Sequence, residues 1–252
     1  MNIPIGLQLY AVRDECARDL PGTLSVVAEM GYAGVEFAGY YGLTAPALRR
    51  MLDERGLKCC GAHTRLDLLL GGELERTIEF NLALGSPYVI VPILPEERRK
   101  SRATWLDSAR VLNELAGRLR PHGLRVGYHN HRYEFEPVDG AVPWDLIFGT
   151  ADPSVVMQLD MGHALEAGAD PVAVLHRYPG RAATVHMAEH SASDPLALLG
   201  EGDVPWPEVL AACASVGGTQ WYIVEQERYR YPELECARRN LVNLREYMRN
   251  LS

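Results

Sequence analysis

The sequence predicts a single closed (β/α)8 barrel domain spanning residues 1–252, and three observations carry that reading. Short apolar stretches recur eight times, centred on Gln8, Val35, Gly61, Ile90, Gly127, Gln158, Val185 and Val224, so neighbouring centres lie 26 to 39 residues apart. Each stretch is followed by a segment of helical periodicity, which implies a parallel sheet covered on its outer face by helices. Eight such units in 252 residues match the size of this barrel class. An open doubly wound sheet is the competing architecture, but no Gly-x-Gly-x-x-Gly follows the first stretch.

In order, residues 3–10 form a compact apolar run with polar Gln8 near its end, read as the first strand. A helix is expected over 18–30, where Leu20, Leu24, Val27 and Met30 share one side and Gly31 is a stop. Gly34, Val35, Glu36 and Phe37 make a short second strand, and Thr44 with Pro46 opens a helix that Gly56 ends. Residues 57–62 are strand-like and deliver His63, a helix follows over 72–84, and the fourth strand covers 88–92, with Pro92 at its end. The helix over 101–119 is the longest, and Pro121 and Gly123 break it. The fifth strand, 124–128, runs into His129, Asn130, His131, Arg132, Tyr133 and Glu134; on an extended chain His129 and His131 share a face. A short helical piece at 143–148 precedes a strand over 154–160 that ends on Asp160. Asp170 and Pro171 open a helix to about Tyr178, and the seventh strand, 182–185, ends on His186. Helices over 206–216 and 232–248 flank the last strand, 221–224, which ends on Glu225.

Composition narrows the partners. Apolar residues are 47% and charged residues 23%, ordinary for a chain with a sizeable core. The net charge of −8 offers no basic footprint for nucleic acid, and Arg98, Arg99 and Lys100 are the one short basic run. No apolar run approaches the roughly 20 residues needed to cross a bilayer. Residues 1–6 lack the charged and apolar regions of a signal peptide. The five cysteines, Cys16, Cys59, Cys60, Cys213 and Cys236, have irregular spacing and include no Cys-x-x-Cys pair. A cytoplasmic setting is expected, without membrane or nucleic-acid partners; a homo-oligomer is compatible with the sequence.

In a barrel of this class the chemistry sits at the C-terminal strand ends. There the sequence gathers Gln8, Glu36, His63, His129, His131, Glu134, Asp160, His163, His186 and Glu225. Imidazoles and carboxylates together suit a divalent cation such as Mn²⁺, Zn²⁺, Co²⁺ or Mg²⁺, with no thiolate to demand zinc. Each residue also has a plainer reading. Gln8 and Glu36 can bond loop backbone, His63 can pack or cap, Asp160 can cap the turn after it, and Glu225 can belong to a solvated charge run. Four consecutive strands ending on metal-capable residues are hard to explain by packing alone.

These residues and their surroundings resemble the sugar phosphate isomerase/epimerase family, of xylose isomerase-like TIM barrel fold. The likeness runs from Ile5-Gly6-Leu7-Gln8-Leu9-Tyr10 and Gly31-Tyr32-Ala33-Gly34-Val35-Glu36 through Tyr128-His129-Asn130-His131-Arg132-Tyr133-Glu134-Phe135 and Leu159-Asp160-Met161-Gly162-His163. It continues in Val185-His186-Met187, Gly200-Glu201-Gly202-Asp203-Val204-Pro205-Trp206 and Ile223-Val224-Glu225-Gln226. The resemblance implies a metal held from the last four strands, with Asp160, His186 and Glu225 matching three positions. In the epimerase branch the remaining ligand is a Glu within the fifth strand. Here Glu134, His131 or His129 must stand in, and Glu134 is preferred because it keeps three carboxylates against the divalent charge.

The implied substrate is a carbohydrate: a sugar, ketose or inositol-type ketone, isomerised or epimerised through a metal-stabilised enediolate. Glu225 or Glu134 would move the proton. His131 would join them in catalysis, with Gln8, Glu36, His63, His129 and His163 holding the substrate. A dehydratase working from the same site, like inosose dehydratase, is the alternative, since the extra imidazoles could help a β-hydroxyl leave as water.

Overall fold

The structure is a computed structural model and describes residues 3–250; Met1 and Asn2, which open the stretch read for a signal peptide, lie outside the described residues. Eight parallel strands close in sequence order into a barrel: β1 (Ile5–Gln8), β2 (Gly34–Phe37), β3 (Lys58–His63), β4 (Tyr88–Val91), β5 (Arg125–His129), β6 (Val156–Asp160), β7 (Thr184–Met187) and β8 (Trp221–Val224), which pairs back with β1. Around them lie α1 (Arg13–Met30), α2 (Ala45–Asp53), α3 (Glu73–Leu84), α4 (Arg102–Leu119), α5 (Pro143–Phe148), α6 (Met161–Glu166), α7 (Pro171–Arg177), α8 (Trp206–Ala212) and α9 (Glu233–Asn250). The (β/α)8 prediction is met.

The two faces of each strand explain the layering. Outward residues such as Leu7, Val35, Val126, Met157, Leu159 and Val185 join one continuous core with the inner sides of the helices. Inward residues alternate with them. At the N-terminal end of the barrel Tyr88, Ile90, Val156 and Ala183 form a separate apolar plug with Trp221 packed against it. Above the plug the interior turns polar, with Gln8, Glu36, Gln158, Thr184 and His186 fully buried. Such a layer is costly unless every group is paired.

Glycine makes room for it. Val35 pairs with Cys59 but Glu36 pairs with Gly61, so Cys60 is an extra residue in β3. A Cβ on Gly61 would lie 2.5 Å from Oε1 of Glu36, so the small residue leaves space for that carboxylate.

Several boundaries differ from expectation for local reasons. The first strand stops at Gln8, whose side chain accepts the Tyr10 N–H and starts a 3₁₀ turn over Leu9–Val12. Helix α1 begins at Arg13, yet Asp19 (φ −154°, ψ 83°) breaks it. Asp19 Oδ1 caps the second half through the Gly22 N–H at 3.0 Å, and Pro21 cannot donate across the break. Helix α6 was expected only as a turn. Strand β7 is shifted toward Met187, because the Ala182 N–H bonds the Gly217 carbonyl in the π-turn (Cys213–Gly217) that ends α8. His186 therefore sits inside the strand rather than at its exit.

Gly127 tests this packing: an added Cβ would lie 2.8 Å from both Cβ and the carbonyl oxygen of Val156. Gly127→Ala should lower stability by about 1–3 kcal/mol, read as a lower urea midpoint at unchanged slope. An unchanged midpoint would show that the β5–β6 seam is looser than this.

Candidate active site

Glu36 lies at the centre of the polar layer. Its Oε2 accepts from Gln8 Nε2 at 2.8 Å and contacts His186 Nε2 at 2.6 Å, and its Oε1 accepts from Gln158 Nε2 at 2.8 Å. His63 Nε2 lies 3.2 Å from Oε2 and 2.8 Å from Gln158 Oε1, while Gln158 Nε2 also donates to Thr184 Oγ1 at 3.0 Å. Burial alone would push the Glu36 carboxyl up, but the His63 and His186 imidazoles hold it well below the usual carboxylate range.

Above this layer His129, Asp160, His186 and Glu225 each turn a ligand atom to one point, all within 4.8 Å of one another. His63, His129 and His186 form an overlapping group of the same kind. The His186 Nδ1 lies 2.6 Å from Glu225 Oε2 and 3.9 Å from Asp160 Oδ2. Burial disfavours charge on His186, yet Glu225 and Glu36 on its two nitrogens raise it well above its ordinary value. Burial likewise opposes the Glu225 charge, and His186 outweighs it and lowers the carboxyl. His129 is different: burial and the neighbouring imidazoles drive it well below the usual range, so it stays neutral with a free lone pair. His129 Nδ1 and Asp160 Oδ2 are both buried without a hydrogen-bond partner among the described residues. An unpaired Asp160 oxygen facing His186, in a cluster of two imidazoles and two carboxylates, fits a divalent cation. All five cysteines are buried outside this cluster.

The backbone that presents Asp160 is clamped. Asn130 Oδ1 accepts the Asp160 N–H at 2.8 Å and Asn130 Nδ2 donates to the Asp160 carbonyl at 3.1 Å. Asp160 Oδ1 caps α6 through the His163 N–H at 2.7 Å, which leaves Oδ2 for the cluster. The capping reading and the ligand reading of Asp160 thus hold for different oxygens.

Glu134 lies apart from the four. It is bonded by the Tyr128 hydroxyl on one oxygen and by the His131 N–H at 2.8 Å on the other. Burial raises its carboxyl to about 8. His131 stacks on Tyr133 with ring centres 5.5 Å apart, and its ring lies 5.1 Å from His129 and 5.2 Å from His163. Burial and His163 lower His131 to about 4. His163 is pulled down by burial, but Asp160, Glu227 and Glu225 leave it above its ordinary value. A cavity of about 270 Å³ is lined by Asp160, His163 and Glu225 together with Glu189, His190 and Asp194.

A sequence profile of the xylose isomerase-like TIM barrel family matches residues 24–247. The chain belongs to that family. It is 26% identical to the rhizopine catabolism protein MocC of Rhizobium meliloti, over 81% of this chain and 74% of that protein. It is also 26% identical to an inosose dehydratase of Geobacillus kaustophilus, over 83% of each. Among solved structures, a sugar phosphate isomerase/epimerase from Parabacteroides distasonis superposes with a TM-score of 0.83 at 22% identity, covering 98% of this chain and 96% of that one. The last of these speaks for the fold alone.

Within this xylose isomerase-like barrel, two residues that hold the site together and one that ties a cavity-lining loop were not singled out from sequence. Gln158 lies two before Asp160 on one strand and shares its face, a signal period-2 alternation carries. Asn130 lay in plain view between two histidines. Glu189 had no signal, because its partners come from a loop. Among the described residues no helix is long and apolar enough to cross a membrane.

The Glu134 carboxyl gives a pH test. The folded chain keeps its proton to about 8, whereas the ordinary value is 4.5. Its contribution to stability is therefore fully present below about 4.5 and is lost as pH rises through about 8. Urea unfolding at pH 5 and pH 8 should show stability falling less in Glu134→Gln than in the parent. Equal falls would mean that Glu134 is ionised throughout.

Proposed function

We propose that the chain is a divalent-metal-dependent enzyme that enolises a polyhydroxylated ketone, of inosose or ketose type. The observation that carries this is the convergence of His129, Asp160, His186 and Glu225, with unpaired buried atoms, under a cavity lined by polar groups. These four residues would hold the cation, with His129 taking the place for which Glu134 was the first expectation. A divalent cation there would draw charge from the carbonyl and a neighbouring hydroxyl of the substrate and acidify the C–H between them.

The chain's own groups divide the remaining work. Glu225 is the one carboxylate that both belongs to the cluster and lines the cavity with its charge favoured by a neighbour, so it takes the proton. Glu36 holds His186 from its far nitrogen, fixing the ring for ligation. His63 is tied to Gln158 and Glu36 and shares that supporting role. His163 lines the cavity and His131 lies beside it, where both can bind hydroxyls, and His163, whose charged form is favoured, can hand a proton to a departing one.

A single base on one face suits loss of water from the enol, or return of the proton to the adjacent carbon. Dehydration is the reading we favour. The inosose dehydratase similarity supports it, and so does His163, which supplies an acid for the leaving hydroxyl. Isomerisation is the second reading, supported by the same Glu225 placement. Exchange on both faces, as an epimerase requires, needs an opposite base, and Glu134 has both oxygens engaged elsewhere.

Protein loaded with Mn²⁺ and incubated with 2-keto-myo-inositol or a ketose panel in D₂O should give a product lighter by one water, or deuterium at the carbon next to the carbonyl. Chelation should abolish both, and Glu225→Gln should lower the rate by roughly 10²–10⁴-fold. Neither product nor exchange with any divalent cation would reject the proposal. Calorimetric Mn²⁺ titration decides the ligand set. His129→Ala should weaken binding by more than the ~10–100-fold typical of losing an outer supporting group, with Glu134→Gln staying close to the parent. The reverse order would return the first ligand position to Glu134.

A further inference from the structure

The connection over 188–205, between β7 and α8, has no helix or strand of its own, yet a single carboxylate ties it into a closed loop. Glu189 Oε2 accepts the Gly200 N–H at 2.7 Å and the Trp206 indole N–H at 2.7 Å. Its Oε1 accepts the His190 N–H at 3.0 Å and the Val204 N–H at 3.2 Å. Gly202 passes so close that a Cβ would lie 2.3 Å from the His190 carbonyl oxygen and 2.6 Å from Glu189 Oε1. The loop therefore wraps a half-buried carboxylate with N–H dipoles in place of a cation. Such an arrangement is costly to desolvate and is worth keeping only if the loop must hold one shape.

That shape faces the cavity. Glu189, His190, Ser191 and Asp194 line it together with Asp160 and Glu225. The same loop is tied to the exit of β8: Asn240 Oδ1 accepts the Leu199 N–H at 2.9 Å, and Asn240 Nδ2 donates to Gln226 Oε1 at 3.0 Å. Gln226 follows Glu225 directly. Loop, wall and base are thus linked through hydrogen bonds, with Glu189 at the hub.

We infer that Glu189 is a positioning residue for substrate recognition: it sets how far the 190–194 wall reaches over the cavity, without taking part in cation binding or proton transfer. The inference rests on the enolising reaction proposed above. Glu189→Gln keeps the size but turns an NH₂ group toward N–H donors, so at least one pair of bonds is lost.

Amide hydrogen exchange and Mn²⁺ calorimetry on the full chain read the clamp without turnover. In Glu189→Gln the His190, Gly200 and Val204 amides should exchange much faster, with Mn²⁺ affinity and the circular dichroism spectrum unchanged. With 2-keto-myo-inositol and Mn²⁺, KM should rise roughly 10-fold, the order expected for a lost hydrogen bond to a charged group, and kcat should stay within about twofold. Trp206→Phe removes one of the four bonds and should shift KM the same way by less. Unchanged amide protection overturns the inference. So does Mn²⁺ affinity lost together with protection, or a fall in kcat at constant KM. If the parent protein neither binds nor turns over the inosose, the proposed reaction is what fails, and the exchange data alone decide the clamp.

Discussion

The buried carboxylate of Glu36 is the constraint on which the upper half of this barrel depends. It is fully enclosed and receives Gln8, Gln158, His63 and His186 from four different strands. An ionised group in that position would be prohibitively costly without such company. Once it is there, the rings and amides around it have little freedom to turn. His186 is held from one nitrogen and so presents the other upward, toward Asp160 and Glu225. The apolar plug below and the ligand cluster above are joined by this one charged layer, and Gly61 is the vacancy that lets it fit.

The strand count, the parallel order and the polar strand ends were legible from sequence because each follows from a short-range pattern. Period-2 alternation sets which side of a strand faces the barrel, and glycines and prolines mark the helix ends. For the fifth-strand ligand, charge arithmetic favours Glu134 and alternation favours His129. Gly127 faces the crowded interior, so Tyr128 must face the helices and His129 the interior again. The tyrosine hydroxyl then captures Glu134 on the outer side. The loop after β7 was illegible for a different reason: its organising bonds run from one carboxylate to backbone N–H groups, and backbone donors leave no trace in residue identity.

A lone pair offered by neutral His129 and one guarded by a proton on His186 make an unequal pair of imidazoles. His129 is kept uncharged by burial among other rings, so its ligand atom is free at neutral pH. His186 sits between two carboxylates that favour its protonated form, so a proton and a cation compete for Nδ1. Three carboxylates, Glu36, Asp160 and Glu225, surround that one site of positive charge. The excess of negative charge, together with the unpaired Asp160 oxygen, is what a divalent cation would relieve.

The same asymmetry bears on the reaction. A barrel that offers carboxylates from both the fifth and the eighth strands can approach a carbon from two faces, as inversion of a stereocentre demands. Here the eighth strand supplies Glu225 and the fifth supplies an imidazole committed to the cluster. The other imidazoles near the cluster are His163, which lines the cavity, and His131 beside it. One base and a nearby acid form the minimal apparatus for removing a proton and a hydroxyl from neighbouring carbons. With His129 as the proposed ligand in place of a strand-borne carboxylate, the proposed elimination is favoured over two-sided exchange.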